Sequence, residues 1–133
     1  MSTSTVQCIS RVFAYVNKER PDSYSNYDSF DADWSSPDSY QLVRRIGRGK
    51  YSDVFTGVDV RIDQDIVVKV LKVICISSQP VRKRKIGREI KILQNLRGHP
   101  NIVSLLDITR SERGIPSLIF EYIECLEYSV CSA

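Results

Sequence analysis

Ile46-Gly47-Arg48-Gly49-Lys50-Tyr51-Ser52-Asp53-Val54-Phe55, and after it Ile66-Val67-Val68-Lys69-Val70-Leu71, decide what this chain can build. Tyr40 to Ile46 reads as a strand, Gly47 to Gly49 as a glycine turn, and Ser52 to Val60 as a returning strand. The glycines let backbone N–H groups approach an anion where a Cβ would clash. Alone, the spacing G-x-G-x-x-S fits a plain hairpin turn equally well. It is not a P-loop, since no helix carrying G-K-[ST] follows. Nor is it a dinucleotide-binding turn, since a strand follows where a helix is needed. The second stretch is β-branched and apolar, suiting a largely buried third strand. Lys69 lies within it, a costly place for a charge unless a partner and an anion compensate. A lysine turned to solvent is the plainer alternative.

Further along, Ile86, Ile90 and Leu93 recur at i, i+4 and i+7, which predicts a helix over residues 81–97, stopped by Gly98-His99-Pro100. Glu89 lies 20 residues beyond Lys69 on that helix, within reach of it, or else it pairs with Lys85 at i−4. Ile102 to Ile108 and Leu118 to Ile123 make two more strands, joined through Arg113-Gly114-Ile115-Pro116. The order β-β-β-α-β-β is an α+β fold with one helix crossing the sheet.

With 133 residues, 42% hydrophobic and 26% charged, the chain can bury one modest core. No apolar run approaches the roughly 18 residues of a membrane span, and none follows Met1 as a secretory signal would require, so no membrane partner is expected. Cys8, Cys75, Cys125 and Cys131 lack metal or redox spacing and are expected as reduced thiols of a nuclear or cytoplasmic protein. With one histidine, His99, chemistry needing two imidazoles is excluded.

Charge is uneven. Residues 1–41 hold Arg11, Lys18 and Arg20 against Glu19, Asp22, Asp28, Asp31, Asp33 and Asp38, while the rest is strongly basic. Residues 1–39 show neither helix nor strand periodicity, yet carry Tyr15, Tyr24, Tyr27, Phe30 and Trp34. They are expected to form an arm, extended or disordered, with order beginning near Tyr40. Residues 40–123 form the folded lobe and residues 124–133 a divergent tail.

Glycine hairpin, strand lysine and helix glutamate, in this order, match the protein-kinase signature set. The stretch Tyr40 to Phe55, the helix start Pro80 to Ile86, Arg88 to Gly98 and Ser117 to Tyr122 resemble the casein kinase II catalytic (alpha) subunit. Upstream, Ser10-Arg11-Val12, Val16-Asn17, Arg20-Pro21 and Trp34 are similar to its N-terminal segment, so that the resemblance spans about residues 9–123. It implies the N-terminal lobe of a kinase, a five-stranded antiparallel sheet with one αC-type helix, and a Ser/Thr kinase that uses ATP on acidic substrates. By matching position, Ile46 and Val54 would roof the adenine beside Val67, and Gly47, Arg48, Gly49, Lys50, Tyr51 and Ser52 would cover the phosphates. Lys69 would hold the phosphates, oriented by Glu89. Phe120 would be the gatekeeper, with the backbone of Glu121 to Ile123 as the hinge strand. Arg82, Lys83, Arg84 and Lys85 would recognise acidic substrates or polyanions, although a solvated helix start explains them as well. Nucleic acid is not favoured as a partner. The regulatory beta subunit would dock on Leu42, Phe55, Val68, Val70 and Ile119.

The sequence departs from the family at two places. Val73 to Gln79 read either as a loop extension or as a translated short intron, because a Val codon begins GT and a Gln codon can end AG. The tail from Glu124 matches nothing in the family. Phosphoryl transfer also needs a catalytic aspartate and Asn and Asp magnesium ligands. Here the one histidine precedes Pro100, and Asp33-Trp34-Ser35 lies before the glycine turn. No catalytic base and no metal ligand are therefore expected, and the chain reads as a truncated kinase, inactive by itself.

Overall fold

The computed structural model describes residues 15–72 and 80–124. The expectations for Val73 to Gln79, for the tail beyond Glu124 and for all four cysteines fall outside them. A short helix, α1 (Val16–Glu19), and 3-10 turns at Asp22–Tyr24 and Pro37–Ser39 precede the sheet. Then come β1 (Tyr40–Arg48), β2 (Ser52–Asp59), β3 (Gln64–Leu71), α2 (Pro80–Asn95), β4 (Leu105–Arg110) and β5 (Pro116–Glu121). The strands form one antiparallel sheet in the order β1-β2-β3-β5-β4, the fold expected of a kinase N-terminal lobe.

The pleat decides which residues meet. Side chains alternate between faces, and antiparallel partners share one. Val54 opposes Lys69, Val67 opposes Phe120 and Lys69 opposes Leu118, so these residues lie on the face that α2 crosses. Ile90 of α2 is buried there with Leu105, Ile108 and Leu118. On the opposite face Ile66, Val68 and Ile119 form a second cluster, packed by Tyr40, Val70 and Leu106.

Several boundaries differ from expectation by one to three residues, among them the ends of β1 at Arg48 and β4 at Arg110 and the starts of β3 at Gln64 and β5 at Pro116. Helix α2 ends at Asn95, and Leu96 to Gly98 make a closing turn in which Gly98 takes a φ of 89°. Only glycine enters that region without strain. Strand β4 starts at Leu105 rather than Ile102, and β5 stops at Glu121 rather than Ile123. The apolar runs extend past the ladder, and pairing rather than hydropathy sets its ends.

The arm also differs. Order was expected to begin near Tyr40, and contacts with the lobe are made upstream of it, between Tyr24 and Ser35. Phe30, Ala32 and Trp34 pack on the helix-side core. Arg88 sits over the Tyr27 ring, Lys91 over Phe30 and Arg110 over Trp34. The Ser35 N–H donates to the Ile108 carbonyl at 2.9 Å, and the Arg110 N–H donates to the Ser35 carbonyl at 3.0 Å. Aromatics unfavourable in water thus find a surface on this same chain.

Candidate nucleotide-phosphate site

Strand β3 carries Lys69 at the point where α2 passes over the sheet, and one turn of α2 beyond Ile86 brings Glu89 to it. The Lys69 Nζ donates to Glu89 Oε1 at 2.7 Å. Both groups are partly solvated, so the pair orients the lysine more than it stabilises the fold. Of the two partners open to Glu89 in the sequence, Lys69 and Lys85, it is Lys69 that donates to Glu89.

Above the pair is a cavity of about 370 Å³ lined by Gly49, Lys50, Tyr51 and Ser52 of the hairpin, Lys69 and Leu71 of β3, and Arg82, Lys85, Ile86 and Glu89 of α2. Four cations and one carboxylate face it, an environment made for an anion. The hairpin turns tightly: the Gly49 N–H donates to the Ser52 carbonyl at 2.8 Å. A Cβ at Gly49 would lie 3.2 Å from that same oxygen, a tight approach that the Ser52 carbonyl would have to yield to. Tyr51 rests under the Arg82 guanidinium, 4.7 Å from its ring centre. Among the described residues no cluster of three or more His, Cys, Asp or Glu side chains gathers for a metal ion.

The family model described as protein kinase domain matches residues 40–131. The chain belongs to the protein kinase domain family. The match runs past Glu124, where the sequence alone suggested that the likeness ended.

The kinase lobe brings together some of the residues singled out in its sequence and separates others. Gly49, Lys50, Tyr51, Ser52, Lys69 and Glu89 share the cavity. Val54, Val67 and Phe120 lie on the same sheet face but do not line it, and Ile46 is half exposed beyond them. The Glu121 N–H is committed to the Ser104 carbonyl at 3.1 Å, and Glu121 Oε1 accepts from the Ser104 N–H at 2.8 Å. That N–H is therefore not open to a base, which narrows the hinge expected at Glu121 to Ile123.

The basic run is divided by the helix. Arg82 and Lys85, three residues apart, face the cavity above Lys69. Lys83 and Arg84 face a second groove, lined also by Phe30, Trp34 and Arg110. The four cations expected to meet acidic substrates or polyanions are thus split into two pairs, each facing a different groove.

The five docking positions do share the outer face, because Phe55 and Ile119 both oppose Val68. Val68 and Ile119 are, however, only 3% and 1% exposed. Tyr40, Val70 and Leu106 pack on their cluster, so a partner would reach Leu42, Phe55 and Val70 instead.

Leu71 and Ile86 were missed as cavity walls. Period two from Lys69 and a helical i−3 from Glu89 were the signals that could have found them. A polar network on the outer face was missed as well. Arg61 holds the buried Asp59 through both carboxylate oxygens and donates to the Tyr40 hydroxyl at 3.0 Å. That hydroxyl donates to Asp107 Oδ2 at 2.6 Å, while Ser35 Oγ donates to Asp107 Oδ1 at 3.0 Å. Burial first, and then the bond and charge of Asp107, push the Tyr40 phenol up to about 12. The Arg61 bond, chiefly, holds the Asp59 carboxyl below its ordinary range.

Proposed function

We propose that this chain is the nucleotide-holding lobe of a Ser/Thr protein kinase of the casein kinase II catalytic type, whose whole catalytic unit transfers phosphate from ATP to acidic substrates. The observation that carries this reading is the 2.7 Å pair of Lys69 with Glu89 beneath a cavity roofed by the glycine hairpin. An oriented lysine beside a glycine cradle serves the α/β-phosphates of ATP. Arg82 and Lys85 add the positive charge that an acidic acceptor meets. The acceptor-orienting base and the magnesium ligands have no counterpart in the kinase signatures of these 133 residues. By itself this stretch binds nucleotide phosphates weakly and transfers none.

Titration with a fluorescent ADP analogue, beside a phosphotransfer assay on an acidic Ser/Thr peptide, tests both halves. Weak binding that drops in Lys69→Met, with no transfer, is expected. Binding unchanged in Lys69→Met overturns the phosphate site. Turnover that disappears in Lys69→Met overturns the inactivity.

A second reading concerns docking of a regulatory beta subunit on the outer face of the sheet. Its support is Leu42, 50% exposed on β1 beside the half-buried Phe55 and Val70. Capture of the beta subunit by the wild-type chain, lost in Leu42→Glu, supports it. Equal capture by both removes this surface.

A further inference from the structure

Lys72, the residue just past β3, touches the glycine hairpin at three points and does not line the cavity. Its backbone N–H donates to the Tyr51 carbonyl at 2.9 Å. Its Nζ donates to the Gly49 carbonyl at 2.7 Å and lies 3.5 Å from Asp53 Oδ1. That Asp53 oxygen is buried and makes no hydrogen bond, so the Lys72 ammonium is the charge that compensates it. Residues on both sides of the turn, Gly49 and Asp53, are therefore held by one cation from the neighbouring strand.

From this we propose that Lys72 is a positioning residue for phosphate binding: it clips the glycine hairpin from outside the cavity and fixes the orientation of the peptide between Gly49 and Lys50 over it. Resting on the nucleotide reading above, the proposal assigns Lys72 a role distinct from that of Lys69. Lys69 meets the anion from below, and Lys72 acts only through the hairpin. A carbonyl pinned by an ammonium sets the plane of its peptide, because that unit is rigid. Preorganised donors bind an anion without reorganisation, whereas a released glycine turn must lose its freedom on binding. Two ordinary explanations of Lys72 compete with this one. A solvated lysine would leave the hairpin unaffected when removed. A purely structural partner of Asp53 would matter only through stability.

The full chain and three variants, Lys72→Met, Lys72→Arg and Lys72→Met with Asp53→Asn, distinguish these roles. The double variant removes the uncompensated carboxylate while leaving the Gly49 carbonyl unclipped. Amide exchange and nitrogen-edited NMR are followed at Gly49, Lys50, Tyr51 and Ser52, without ligand and with inorganic triphosphate. Lys72→Met is expected to speed ligand-free exchange at Lys50, whose N–H shares a peptide unit with the Gly49 carbonyl, and to weaken triphosphate binding by about tenfold, the scale of one charge-assisted hydrogen bond. Lys72→Arg restores both. The double variant recovers thermal stability but not the anion affinity. Unchanged exchange in Lys72→Met overturns the clip, and recovery of affinity in the double variant reduces Lys72 to a structural partner of Asp53. If triphosphate moves none of these amides in the wild-type chain, the phosphate site falls and the proposed role falls with it. Faster exchange in Lys72→Met would then mark a clip that serves no anion.

Discussion

Glu89 carries one carboxylate oxygen to Lys69 at 2.7 Å, and Glu89→Gln keeps its shape while removing the charge. Nucleotide affinity is expected to fall about tenfold in that variant, because the lysine loses the charge-assisted bond that aims it. Equal affinities in a fluorescent ADP titration would dismiss the orienting role. Tyr40 offers a test in pH. Its phenol is raised to about 12 in the fold, from an ordinary value near 10, so the fold favours the protonated form. Its contribution to stability is complete below pH 10 and is lost as pH rises from about 10 toward 12. Melting temperatures should therefore drop more steeply across that window in the wild-type chain than in Tyr40→Phe. Parallel curves would show that burial and Asp107 do not govern the phenol.

Two glycines in regular elements should respond to alanine with opposite signs. A Cβ at Gly57, in β2, would sit 2.5 Å from the Gln41 carbonyl of β1, with backbone that cannot step aside. Gly57→Ala is expected to cost about 1–3 kcal/mol in urea unfolding. Gly87, inside α2, has nothing within 4 Å of such a Cβ, so Gly87→Ala should gain about 0.5–1 kcal/mol from helix propensity alone. A stabilised Gly57→Ala, or a destabilised Gly87→Ala, would contradict the packing described. Local chemistry made most of these elements readable in advance. The period of Ile86, Ile90 and Leu93 marked α2, Gly98 its stop, and the apolar run around Lys69 marked β3. Less visible was where each ladder ends. Ile102 to Ser104 are as apolar on average as a strand, yet pairing in β4 begins at Leu105. The Lys69–Glu89 meeting was legible because both elements have firm periods. The division of the basic run was not, since four consecutive cations look alike until the helix turns them to different sides. Nor was the Lys72 clip, which depends on where a turn folds back across a neighbouring strand.

At the scale of the molecule, the arm shares the core that the lobe builds. Trp34 is the one tryptophan, packed on the cluster of Ile90, Leu105, Ile108 and Leu118, so its fluorescence reports docking of the arm. Its emission is expected to change at the same urea concentration as the far-UV signal of the sheet, as a single cooperative unit requires. An earlier shift of Trp34 would show an arm that leaves an intact lobe. The bridge between Ser35 and Thr109 carries one more consequence. In the order β1-β2-β3-β5-β4 the sheet has two edge strands, β1 and β4. At one of them β1 is twice irregular in register and bears Arg44, Arg45 and Arg48, features that discourage a foreign strand. The other edge, β4, is blocked by Ser35, which occupies the Ile108 carbonyl and the Arg110 N–H with its own backbone. Those are the groups through which a strand from a neighbouring molecule would add to the sheet. A chain relieved of its arm therefore offers a template on β4 alone, and it is expected to dimerise edge to edge before it unfolds.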